Sequence, residues 1–173
     1  MSLKSGYYTL RIGNNLVGRS FKTEDYSLLP KPIYNATDDV ESTWQIESLP
    51  GGLYRLRNFD APIATIEGRL EAIVSPDVDE NEKKFQWMIT PESHNGEETL
   101  YNITTPSGDA WYIMSDKFSP AQILLSGDAL KSTVGCVISN DDKPVGRGDD
   151  GSVPRRNGIL NATQSKKAFR HEV

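Results

Sequence analysis

A six-residue pattern recurs three times along the chain and limits its possible folds more than any other feature. Gly6-Tyr7-Tyr8-Thr9-Leu10-Arg11 resembles Gly52-Leu53-Tyr54-Arg55-Leu56-Arg57, and both resemble Thr99-Leu100-Tyr101-Asn102-Ile103-Thr104. The tyrosines at 8, 54 and 101 stand 46 and then 47 residues apart. A second element follows the first. Trp44-Gln45-Ile46 closes one unit and Trp87-Met88-Ile89 closes the next, 43 residues later. Each copy of such a repeat is one supersecondary unit that buries its apolar face only against its neighbours.

The runs 6–12, 16–21, 32–36, 43–49, 53–58, 62–67, 71–75, 84–90, 99–105, 109–114 and 121–125 are short, rich in β-branched and aromatic residues, and bounded by Gly, Pro, Asn or Asp. That pattern predicts strands, and no stretch carries a sustained helical period. Three units of four strands predict an all-β chain with a β-trefoil fold: a six-stranded barrel capped by three hairpins. Trp44 and Trp87 are then core residues, whereas Trp111 is less regular and could be exposed. The third unit is irregular. Its closing aromatic is due near residue 131, where none stands. The chain end, with Phe169, is one candidate for the last strand, and 134–138 is the other. The first choice gives a domain of 1–132 plus 165–173, with 133–164 as a flexible insertion or disordered loop.

Composition narrows the function. The formal charge is −5 and no basic stripe is present, which argues against nucleic acid. The N-terminus lacks an apolar signal segment and apolar runs are only a few residues long, so the expectation is a cytoplasmic monomer off the membrane. Cys136 is the single cysteine and forms no internal disulfide. The Asn-x-Ser/Thr matches at Asn35, Asn102 and Asn161 and the Arg147-Gly148-Asp149 triplet read as chance. Only His94, in a polar turn, and His171, near the end, could serve as a catalytic imidazole, and neither has a partner in sequence; the chain reads as a non-enzyme. No His and Cys cluster suggests a metal, and the acidic loop of Asp77, Asp79, Glu80 and Glu82 lacks the pattern of a calcium loop. No cofactor is expected.

Four segments carry a family resemblance: Gly6-x-Tyr8-Thr9-Leu10, Leu16-Val17-Gly18-Arg19, Glu24-Asp25-x-Ser27-Leu28-Leu29-Pro30-Lys31-Pro32, and Trp44-x-Ile46. Together they resemble the mushroom β-trefoil inhibitors of serine proteases, the cospin-type group, over residues 2 to 130. The resemblance implies a substrate-like inhibitor, in which an exposed loop carries a basic residue into the S1 pocket of a trypsin-like serine protease. The loop would span residues 21–31. Lys22-Thr23 ranks first. Arg19-Ser20 has suitable chemistry but lies in the second strand, and Lys31 is disfavoured by Pro32 after it. Lys131 is a second-site candidate. Within the inhibitor class, Asn58 could serve a legumain-type cysteine protease and Gly51-Gly52 a papain-like cleft. A carbohydrate-binding lectin is the alternative from another class, although the Gln-x-Trp motif of ricin-type lectins is absent.

Overall fold

The computed structural model describes residues 2–95, 98–113, 120–127 and 135–140, all within one compact unit, Met1–Lys143. Lys131, the Arg147-Gly148-Asp149 triplet, Asn161, Phe169 and His171 lie outside the described residues. Burial alternates residue by residue over 6–12, 43–48, 53–58 and 87–90, because successive strand residues point to opposite faces. The strands are β1 (Gly6–Ile12), β2 (Asn15–Arg19), β3 (Lys31–Ala36), β4 (Thr43–Ser48), β5 (Leu53–Asn58), β6 (Ala61–Ile66), β7 (Arg69–Ala72), β8 (Trp87–Asn95), β9 (Glu98–Thr104), β10 (Ala110–Ile113), β11 (Ala121–Ser126) and β12 (Cys136–Asn140). The helical turns among the described residues are two single 3-10 turns, Pro50–Gly52 and Lys83–Phe85.

Six strands close a ring. Antiparallel pairing runs β1–β4, β4–β5, β5–β8, β8–β9, β9–β12 and back through β12–β1. The other six form the hairpins β2–β3, β6–β7 and β10–β11. Their second strands pair in a triangle, β3 with β7, β7 with β11, and β11 with β3. Closure leaves no open edge along the ring, which removes the usual template for aggregation.

The sequence repeat reappears as register. Tyr8 pairs with Trp44, Tyr54 with Trp87, and Tyr101 with Cys136. Cys136 therefore stands where the third closing aromatic was expected, five residues beyond position 131. This corrects the assignment of 136–140 to an insertion: these residues are β12, buried between β1 and β9, and the place of a last strand from the chain end is already taken. Of the rest, 133–134 and 141–164 lie outside the described residues.

The missing bulk comes from the neighbouring hairpin. Val17, Ile63 and Trp111 follow the three tyrosines by nine, nine and ten residues. The indole of Trp44 donates to the Val17 carbonyl at 2.7 Å, and that of Trp87 to the Ile63 carbonyl at 3.1 Å. In the third unit the sizes are exchanged, with a small residue on β12 and tryptophan on β10. Trp111, whose irregular setting in the sequence left exposure open, is buried and packs its ring 6.0 Å from Trp44 and 5.7 Å from Trp87. Its indole N–H finds no acceptor among the described residues, a cost of about 1–3 kcal/mol that the packing offsets. Asn35 lies buried on β3, which leaves a glycan no room there. His94, expected in a turn, falls on β8 opposite Thr99.

Burial pushes the Cys136 thiol up to about 12. The folded protein should therefore resist an aromatic disulfide reagent at pH 8 and release one thiol equivalent only after unfolding in guanidinium. Rapid labelling of the folded chain would mean that β12 does not close the ring.

Candidate functional site

Residues 20–30 connect β2 to β3, and their base is fixed by one buried side chain. The alternation of β5 places Tyr54, Leu56 and Asn58 on the core face. Asn58 is fully buried and spends its whole amide on backbone. Its Oδ1 accepts the Arg19 N–H at 2.9 Å, and its Nδ2 donates to the carbonyls of Glu41 at 2.8 Å and Thr43 at 3.0 Å. The Arg19 carbonyl in turn accepts the Glu41 N–H at 2.8 Å. The strands approach so closely here that a Cβ on Gly18 would stand 1.8 Å from the Glu41 carbonyl oxygen. Asn58 is thus a strut between β2, β5 and the segment before β4. Its burial rules it out as a residue that a cysteine protease could grip.

Ion pairs fix the inner face of the loop. Arg19 makes two parallel bonds to Glu24, Nε–Oε1 at 2.9 Å and Nη2–Oε2 at 2.6 Å, and both side chains are under a tenth exposed. The guanidinium also lies 5.2 Å over the Phe21 ring. Breaking a buried pair of this kind costs about 3–5 kcal/mol, so Arg19 is not free to enter a protease pocket. Lys31 is equally committed. Its ammonium, 6% exposed, donates to Asp25 and to Ser27 Oγ, the latter at 3.0 Å. Asp25 Oδ1 also accepts the Ser27 hydroxyl at 2.6 Å and the Ser27 N–H at 3.2 Å. The same residues line a cleft of about 230 Å³ together with Leu29, Pro30 and Pro32, and the bonds of Asp25, Ser27 and Lys31 run across it.

Of the basic candidates on this loop, Lys22 is the exposed one. It reaches Asp39 at 2.5 Å and lies in a turn closed by Thr23 N–H and Oγ1 on the Ser20 carbonyl, both at 3.1 Å. Outward-facing apolar side chains fill the rest of the crest: Phe21, Tyr26, Leu28 and Leu29 are all exposed. Phe21 meets Phe59 edge to face at 4.9 Å. Phe59 and Asp60 form the two-residue turn between β5 and β6, both with positive φ (50° and 60°), the handedness that antiparallel hairpins favour. Positive φ is strained for an aromatic residue, and the Phe21 contact offsets part of that strain.

The remaining candidates are elsewhere. Gly51 and Gly52 are exposed between β4 and β5, with φ of 79° and 77°. The acidic loop is partly neutralised, since Glu80 binds Arg57 at 2.8 Å and Arg55 at 3.3 Å. The apolar crest left no signal in the sequence, because isolated aromatic and leucine residues in a loop carry no periodicity that marks them as exposed. The inward position of Asn58 was legible from the alternation of β5.

The sequence profile described as peptidase inhibitor I66 matches residues 1–149. The chain belongs to this family. I66 members are inhibitors and not enzymes, so a protease is the partner class. Among solved structures, a proteinase inhibitor from Coprinopsis cinerea is similar, with 27% identity and a TM-score of 0.66, covering 81% of this chain and all of that one. A salivary protein from Culex quiquefasciatus (13% identity, TM-score 0.60, covering 81% and 96%) and a designed three-fold symmetric protein (13%, 0.58, covering 79% and 99%) share the fold alone. No curated protein sequence matches the chain.

Two outcomes follow for this I66 chain. Asn58→Ala leaves the buried Arg19 N–H without its acceptor and two carbonyls without their donor, and should cost about 2–4 kcal/mol in urea unfolding. A loss under about 0.5 kcal/mol, the range of surface substitutions, would mean the strut is dispensable. Bonding to Lys31 and then to Ser27 holds the Asp25 carboxyl at about 2, against an ordinary 3.8. A depressed carboxylate stabilises the fold above its unfolded value and loses that contribution as pH falls through the folded one. The brace should therefore persist at pH 3 and fail near pH 2, read by NMR titration of the Asp25 carboxyl carbon. A midpoint near 4 would mean that the brace is not formed in solution.

Proposed function

We propose that the chain is a β-trefoil inhibitor that blocks a serine protease by presenting the 20–30 loop to the active-site cleft in the manner of a substrate. The observation that carries this reading is the loop itself, with an exposed outer face on an inner face fixed by Asn58, Arg19–Glu24 and Asp25–Ser27–Lys31. A loop already held in shape loses little entropy on docking, so more of the contact energy appears as affinity. Interfaces of about 1,600 Å² suffice for tight protease inhibition when the anchor is good. The threefold register of Tyr8–Trp44, Tyr54–Trp87 and Tyr101–Cys136 supports the trefoil part of the reading. Family membership and the likeness to the Coprinopsis cinerea inhibitor support the inhibitory part.

The test is a titration of trypsin, chymotrypsin, elastase, papain and a legumain-type protease with the wild-type chain and with Asp25→Ala/Lys31→Met. That double variant removes the brace without stranding a buried charge. The reading expects a serine protease to be inhibited, and inhibition to weaken about ten-fold or more when the loop is unbraced. Inhibition confined to the cysteine proteases would contradict it, as would inhibition indifferent to the brace. Glycan binding without inhibition would favour a lectin.

A further inference from the structure

Every charge on the loop that could satisfy an acidic S1 pocket is already used, while the most exposed side chain on it is aromatic. Arg19 and Lys31 are buried in ion pairs with Glu24 and Asp25. Lys22 is held by Asp39 in a hydrogen-bonded turn. Entering a pocket would require Lys22 to leave its partner and the turn to open. Tyr26, by contrast, has a relative exposure of 106%, beyond that of a fully extended reference, and Leu28 and Leu29 follow at 66% and 67%. Exposed apolar side chains of this size carry a hydration cost that only a partner relieves.

The flanks of Tyr26 are tied to each other. Asp25 precedes it, Ser27 follows it, and Asp25 Oδ1 takes both the hydroxyl and the N–H of Ser27. The bonds therefore span Tyr26 and its peptide link to Ser27. Lys31 secures both flanks from below. An anchor side chain projects outward while its two neighbours are tied to each other and to Lys31, which is the arrangement that keeps an inserted residue rigid at low entropic cost. The other apolar positions are less suited. Leu29 is followed by Pro30, whose ring and missing N–H disfavour an adjacent scissile bond, and Leu28 is spanned only by the long 3.4 Å bond from the Leu29 N–H to Ser27 Oγ, with no second bond across it.

Resting on the inhibitor reading above, we propose that Tyr26 is the residue that enters the S1 pocket, and that the target is a serine protease whose S1 is an apolar slot rather than one with an acidic floor. Chymotrypsin-like and trypsin-like pockets differ in this respect. A tyrosine fills the first well and leaves the acidic group of the second unpaired, a penalty that separates the two classes.

The experiment measures inhibition constants for bovine chymotrypsin and trypsin with the wild type, Tyr26→Ala, Tyr26→Arg, Leu28→Ala and Lys22→Ala. Tyr26 makes no core contact, so its variants should fold, as far-UV circular dichroism would verify. The proposal expects chymotrypsin to be inhibited by the wild type. It expects Tyr26→Ala to lose about thirty-fold or more, the size of an interface hot spot. Tyr26→Arg should transfer inhibition to trypsin. Trypsin inhibition that is lost in Lys22→Ala and kept in Tyr26→Ala would overturn the proposal while leaving the inhibitor reading intact. Chymotrypsin inhibition that survives Tyr26→Ala and falls in Leu28→Ala would overturn Tyr26 as the anchor. Inhibition of neither enzyme, nor of any other serine protease, would overturn both readings.

Discussion

The Asn58 amide joins three pieces of backbone at one point, the end of β2, the approach to β4, and β5, and so adds to the Arg19–Glu41 bridge and the β4–β5 pairing that already bring them together. It does so in the core, where an unmatched donor or acceptor costs more than a hydrogen bond contributes at the surface. An apolar residue at this position could fill the space but could not pair the Arg19 N–H. Gly18 makes the same demand from the other side, since its missing side chain is what lets Glu41 approach. Everything the β2–β3 loop does depends on this knot, because it fixes where the loop leaves the barrel.

From that base the loop divides by chemistry. Arg19, Glu24 and Lys31 turn inward and pair, Lys22 and Asp25 stay exposed, and Phe21, Tyr26, Leu28 and Leu29 turn outward. The inner pairs reverse the usual arrangement, in which charges face water. The inversion has a structural logic. A cleft opens among the loop's own residues, and ion pairs and hydroxyl bonds hold together the segments that line it. The outer residues are then released from structural duty and free to meet a partner. Phe21 and Phe59 extend the arrangement by linking the loop to a strained two-residue turn on the neighbouring hairpin.

Much of the framework was legible in the sequence because strand alternation and the recurring tyrosine are local signals. β1 and β5 run exactly over the stretches 6–12 and 53–58. β12 was harder, since its register position carries Cys136 in place of a tryptophan, and the compensating Trp111 sits on a different strand. Only the folded core reveals that the two changes belong together. The site was less legible for a related reason. A lysine or arginine in a loop looks like a solvated charge, but Arg19 and Lys31 find their partners five and six residues away through bends that no propensity encodes. Their pairing is the reason we propose Tyr26, and not a basic residue, as the anchor.

The central claim is that one braced loop, and no other surface, meets the protease. Amide hydrogen exchange of the free chain and of its chymotrypsin complex tests it most directly. Slowed exchange confined to residues 20–30 and the turn at Phe59 and Asp60, with little change in the already slow amides of β1 and β5, is the predicted result. Slowed exchange centred on Gly51 and Gly52, with the 20–30 loop unaffected, would contradict the account.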